Sequence, residues 1–225
     1  MIQLNFIEKG SGKPLLLLHG NGESSAYFEK QIPCFSREYR VIAIDTRGHG
    51  RSPRGDAPFT IRQFAEDLRD FMDAQGIERA HILGFSDGGN IALTFALAWP
   101  RRVDRLVLNG ANLNPAGVKR TVQLPIELGY RAASLFASRS ASARRHAELL
   151  GLMVNEPDIS PQALKELHLP VLVIAGTRDM IRQSHTRLIS ESLPDGRLVL
   201  LPGDHFIAAK NAGAFNAAVA AFLRE

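Results

Sequence analysis

The chain has 225 residues, 45% hydrophobic and 22% charged, which suits one globular domain, or one with a large insertion, that buries a core without disulfide or metal staples. Its formal net charge is +4 and 21 of its 27 basic residues are arginine, but they are spread out and not interleaved with aromatics, which argues against nucleic acid as a partner. One cysteine, Cys34, leaves no internal disulfide; no basic leader precedes an apolar stretch and no apolar run approaches a membrane span, so a cytoplasmic protein without membrane contact is expected.

Residues 2–10 (IQLNFIEKG) read as a short antiparallel edge strand turning at Gly10 and Gly12. Apolar runs then recur at 14–20, 40–48, 80–86, 103–110, 170–177 and 196–203, each followed by a turn. Runs without alternation read as strands buried on both faces of a parallel sheet. Between them, residues 60–76 place Ile61, Phe64, Leu68, Phe71 and Met72 on one helical face behind Thr60 as N-cap. Residues 90–99 form a second helix halted by Pro100, and 214–225 a last one. Strands alternating with helices predict an α/β fold covered on both faces.

The alternation breaks between 112 and 165, where two or three helices are expected and no apolar strand. Residues 1–111 and 166–225 therefore form the core, and 112–165 an insertion over the sheet. Residues 117–150 hold Lys119, Arg120, Arg131, Arg139, Arg144 and Arg145 against Glu127 and Glu148. That bias raises the idea of an anionic substrate, beside the plainer reading of a solvated helical face.

The chemistry centres on Gly84-Phe85-Ser86-Asp87-Gly88. A G-x-S-x-G match is weak alone, but here a strand runs in and a helix runs out, the setting of a nucleophile elbow. A serine needs a base, itself held by an acid. His205 and Asp179 each follow a strand late in the chain, so their loops should meet Ser86 at the carboxyl edge of the sheet. His19 and His49 precede Ser86; His81, His146, His168 and His185 read as ordinary surface or core residues. Asp204 adjoins His205, where neighbouring side chains diverge, and Asp45 reads as a partner of the RGHGRS turn. The backbone N–H groups of Asn21 and Asp87 are the candidate oxyanion donors.

These residues resemble the α/β-hydrolase superfamily along nearly the whole chain: HGNGES its oxyanion loop, DTRGHGRS the loop after the next strand, GFSDGG its elbow, GTRDMI its acid loop and PGDHF its histidine loop. The resemblance implies a mostly parallel sheet of about seven strands flanked by helices, with 112–165 as a small helical cap. The elbow with Asp after Ser resembles that of small esterases and amino-acid-ester hydrolases of the superfamily. The resemblance further implies a serine hydrolase acting on a small carboxylic ester through Ser86, Asp179 and His205. His19, Phe85, Tyr130, Leu135, Phe136, Met153 and Phe206 are candidate substrate contacts. No metal or cofactor is implied, since the His and Asp lack metal-ligand spacing. The same triad serves lactonases, amidases, thioesterases and C–C hydrolases, and some proteins of this fold are slow-turnover ligand receptors. Oligomeric state is not encoded in any feature of this kind.

Overall fold

Leu15, Leu16, Leu17 and Leu18 are all buried, because β2 (Lys13–Leu18) lies inside a sheet covered on both faces. The computed structural model describes residues 2–225. The other strands are β1 (Phe6–Lys9), β3 (Tyr39–Ile44), β4 (Ala80–Phe85), β5 (Val103–Asn109), β6 (Val171–Gly176) and β7 (Gly196–Leu201). They form one seven-stranded sheet in the order β1-β3-β2-β4-β5-β6-β7. Only β1 is antiparallel to its neighbour; all other pairs are parallel. The strand expected over 2–10 is thus β1 at one edge. β7, at the other edge, departs from the apolar-run reading: its residues are only partly buried, because an edge strand has a neighbour on one side only.

Six longer helices are described: α1 (Ile61–Ala74), α2 (Asp87–Ala98), α3 (Arg120–Phe136), α4 (Ala141–Asn155), α5 (Gln183–Ser192) and α6 (Ala212–Arg224). Thr60 caps α1 by accepting the Gln63 N–H at 3.1 Å. α2 begins at Asp87, ahead of the expected residue 90; Asp87 and the two glycines of its first turn have poor helix propensity, which conceals that turn in the sequence. α5 is weakly signalled in the sequence, being mostly polar with three buried residues, Thr186, Ile189 and Ser190, of which only Ile189 is apolar.

The strand residues divide by parity between two cores, as a period of two requires. Leu16, Leu18, Ile42 and Ile44 pack with α1, α2 and α5. Leu15, Leu17, Val41 and Ala43 pack with α6 and the single turn Ile32–Phe35 on the opposite face.

Between β5 and β6 the chain leaves the sheet for α3, α4 and a single turn, Pro161–Leu164. α4 is tied to the core by a long bond from Arg145 to Gly48 O at 3.5 Å and by three shorter contacts. Arg54 makes a bidentate contact with Glu148, 2.7 Å at the closest, and the Asn21 side chain donates to Leu149 O at 2.7 Å. Glu156, just past α4, accepts the orphan Ile61 N–H of α1 at 2.6 Å. No helix among the described residues is long and apolar enough to cross a membrane.

Candidate active site

The strand order reverses at β2: the chain steps from β2 outward to β3, then returns to β4 on the other side. Leu18 is in register with Gly84, so the loops leaving β2 and β4 emerge side by side at the switch point where open α/β sheets bind ligands.

Ser86 sits in that gap. Its backbone, φ 53° and ψ −120°, is the one positive-φ conformation of a non-glycine residue among those described. Such a position costs on the order of 1–3 kcal/mol and persists only where the surroundings enforce it. Here the enforcement is the close approach of β2, β4 and α2. A Cβ on Gly84 would fall 2.2 Å from Gly88 O, and one on Gly88 would fall 2.1 Å from Leu18 O. The flanking glycines therefore let the strand-to-helix turn close, and the turn lifts the Ser86 hydroxyl off the sheet edge.

His205 Nε2 lies 3.0 Å from Ser86 Oγ, and His205 Nδ1 lies 2.7 Å from Asp179 Oδ1. His205 and Asp179 are buried. Asp179 is braced by its own loop, since the same oxygen accepts the Ile181 N–H at 2.9 Å. That loop is pinned to residues 117–119 by Lys119 N–H to Met180 O and Arg182 N–H to Gly117 O. Gly110, at the end of β5, backs the imidazole: a Cβ there would fall 2.7 Å from His205 Cε1. Asp204 turns away, accepting from the Phe206 N–H and the Lys210 ammonium. An imidazole held by a carboxylate and aimed at a hydroxyl can withdraw its proton.

Neither the Asn21 N–H nor the Asp87 N–H has a protein acceptor among the described residues; Asn21 lies in the loop after β2, and Asp87 opens α2 directly after Ser86. The Asp87 carboxyl is a separate matter. It is buried beside Asn90 and Asn112, with Asn90 donating to it at 3.3 Å and to Asn112 at 3.1 Å. Burial pushes it up to about 6, against the pull of Asn21 and His205.

A cavity of about 350 Å³ opens over Ser86, a size for a small ligand. The core supplies Gly20, Asn21, Glu23 and Phe85; α4 supplies His146, Leu149, Leu150 and Met153; the later loops add Met180 and Phe206. Phe85, Met153 and Phe206 are therefore placed on the wall as expected from the sequence. Tyr130, Leu135 and Phe136 are not. They lie on α3, whereas α4 faces Ser86. Tyr130 packs against Gly151 on another side of the helix pair, and Leu135 and Phe136 are 76% and 56% exposed. The α4 wall was legible in principle: 146, 149, 150 and 153 follow the one-face spacing of a helix. The basic residues of the insertion are absent from this wall. Arg144 and Arg145 line a neighbouring hollow with Arg54, so the cavity over Ser86 gives no support to an anionic substrate.

His19 also lies off the wall, buried beneath the loop. Its Nδ1 donates to Gly20 O at 2.7 Å and its Nε2 accepts the Thr46 N–H at 3.0 Å. Those roles define the neutral ring, and burial lowers its pKa to about 4. Protonation therefore favours the unfolded chain. The stability that His19 lends is complete above its ordinary pKa of 6.5 and is lost as pH falls toward 4. Relative to a His19→Gln variant, which does not titrate, the wild type should lose about 2 kcal/mol between pH 7 and pH 5 in urea unfolding. Parallel pH profiles for the two proteins would refute this account. Asp45 has the structural part expected of it, accepting from Asn5, Ser25 and Arg51. No three His, Cys, Asp or Glu side chains among the described residues gather in a metal-binding group.

The sheet, the switch-point site and the strained serine turn define a member of the α/β hydrolase fold family, and the chain belongs to it: the family model matches residues 13–130. Among curated relatives, the "Putative carbamate hydrolase RutD" of Caulobacter sp. (strain K31) is 34% identical over 243 residues, covering 93% of this chain and 90% of that protein. Among solved structures, a hydrolase from Pseudomonas aeruginosa PA01 superposes with TM-score 0.80 at 27% identity, covering 98% of this chain and 94% of the other. A meta-cleavage product hydrolase from Pseudomonas fluorescens IP01 superposes with TM-score 0.81 at 27% identity, covering 99% and 94%. These relatives support a hydrolase of the α/β fold.

Proposed function

We propose that this protein is a serine hydrolase that cleaves a small carboxylic ester through an acyl-enzyme, with Ser86, His205 and Asp179 as its triad and residues 112–165 as its cap. The observation that carries this reading is the hydrogen-bonded series from Asp179 through His205 to a strained Ser86 at the mouth of a ligand-sized cavity. In the first step Ser86 Oγ attacks the acyl carbonyl while His205 Nε2 takes its proton. Asp179 keeps Nδ1–H oriented and stabilises the imidazolium. The carbonyl oxygen, now negative, is held by the Asn21 and Asp87 N–H groups. Collapse expels the alcohol, which receives the proton from His205. Water then gives its proton to His205 and attacks the acyl carbonyl through the same oxyanion; collapse breaks the bond to Ser86 Oγ, which takes the proton back from His205, and the acid is released.

The relatives' names include a carbamate hydrolase and a meta-cleavage product hydrolase, so the acyl group need not be that of a simple ester; carbamates, lactones, amides, thioesters and C–C bonds next to a carbonyl are open to the same array. The substrate is small and bound without metal or cofactor. A fluorophosphonate probe should label Ser86, located by mass spectrometry, and His205→Ala should abolish the label. Absence of labelling in the wild type would sink the proposal and favour a ligand-binding protein of the same fold.

A further inference from the structure

The wall of the cavity over Ser86 carries one acidic side chain from outside the triad, Glu23, on the loop that also bears Gly20 and Asn21. Its Oε2 accepts the Gly20 N–H at a long 3.3 Å, and this is the carboxyl group's only hydrogen bond among the described residues. Among the described residues no lysine or arginine pairs with it, and Oε1 has no protein partner. The surroundings are largely apolar: Phe85, Leu149, Leu150 and Met153 face the same space. Burial raises the Glu23 pKa, with the Gly20 N–H and His205 pulling it back. Glu23 is half-buried, so on the side of the apolar wall its charge is only partly screened by water and attracts an opposite charge that enters the cavity. It also stands two residues from Asn21, so its charge opposes the oxyanion that an uncharged substrate develops there. The Asp87 carboxyl does not share this role, being enclosed by Asn90 and Asn112 away from the wall.

We propose that Glu23 is a specificity-determining residue that receives a substrate ammonium, so that the site selects small esters carrying a basic amine near the scissile carbonyl. The inference rests on the serine hydrolase reading above. Such an amine would hydrogen bond to Oε1, neutralise the carboxylate in the apolar cavity and relieve its repulsion of the oxyanion. The amine could belong to either the acyl or the alcohol half, since both leave the carbonyl at Ser86.

Two isosteric pairs separate these sources. Ethyl alaninate is compared with ethyl isobutyrate for the acyl half, and 2-(dimethylamino)ethyl propionate with isopentyl propionate for the alcohol half. The readout is kcat/KM of the amine ester divided by that of its neutral partner, in the wild type and in Glu23→Gln. Gln keeps an acceptor for the Gly20 N–H but removes the charge. The ratio should fall about 10- to 100-fold in the variant for at least one pair, the range of a charge-assisted hydrogen bond. Damage to the loop lowers both members of a pair alike and leaves the ratio unchanged, so unchanged ratios in both pairs overturn the proposal. The wild type gives a second reading should the variant not fold. Its kcat/KM for the favoured amine ester, divided by that ester's hydroxide rate constant, should exceed the neutral partner's value at least about tenfold. Equal normalised values overturn the proposal. Hydrolysis of all four esters without discrimination counts against Glu23 alone. No hydrolysis of any, with no fluorophosphonate label on Ser86, overturns the serine hydrolase reading together with this inference.

Discussion

Ser86→Ala should lower kcat for ester hydrolysis by about 10⁴- to 10⁶-fold while leaving the fold intact. The size follows from losing covalent catalysis: without Oγ there is no acyl-enzyme, and His205 has no hydroxyl to deprotonate at 3.0 Å. The residual rate would come from the oxyanion donors and from binding alone. Alanine is a clean substitution here. Both residues carry a Cβ, so the positive φ of 53° costs nearly the same in each, and unfolding free energy should change by less than about 1 kcal/mol. Steady-state kinetics and a urea melt on the same sample read the two quantities. A loss of only tenfold would move the chemistry to another nucleophile.

Asp67→Ala should destabilise the protein by about 3–5 kcal/mol without touching the site directly. Arg47 and Asp67 form a bidentate pair, Nε to Oδ2 at 2.7 Å and Nη2 to Oδ1 at 2.6 Å, and both side chains are about 95% buried, with 5% and 4% of their surface exposed. The pair clamps the loop after β3 onto α1. Removing the carboxylate strands a guanidinium whose only other partner among the described residues is Arg54 O, and guanidinium cannot shed its proton. The melting temperature should fall by about 10 °C at this chain length. The double variant Arg47→Met, Asp67→Leu should regain at least half of the loss, because it leaves no stranded charge behind although the attraction is gone as well. If Asp67→Ala cost under 1 kcal/mol, water would have to reach Arg47 and the loop would not be held as described.

Most of the fold was legible because strand burial and helical spacing are local. Six apolar runs became β2 to β7, the segment 2–10 became the edge strand β1, and Thr60 capped α1. Each misreading has a physical cause. α2 starts early because glycines that a propensity argument discounts are required by the backbone approach to β2. α5 hides because only one of its three buried residues, Ile189, is apolar.

The positions of Ser86, His205 and Asp179 after their strands were also readable, since a parallel sheet delivers all such loops to one edge. The wall of the cavity was not. Tyr130, Leu135 and Phe136 are as apolar as Leu149, Leu150 and Met153, and nothing in composition separates the two sets. Glu23 looked like one more loop residue, and His146 like one more helix residue. The sequence by itself determined the sheet, the order of the loops at its edge and the residue types gathered there, because strand and turn preferences act over a few neighbouring residues. Only the tertiary structure decided which helix of 112–165 faces Ser86, that its arginines face elsewhere, and that Glu23 meets the cavity unpaired. Those outcomes depend on how helices dock across 94 to 128 residues of chain, through contacts such as Arg54 to Glu148 and Asn21 to Leu149 that no local pattern encodes.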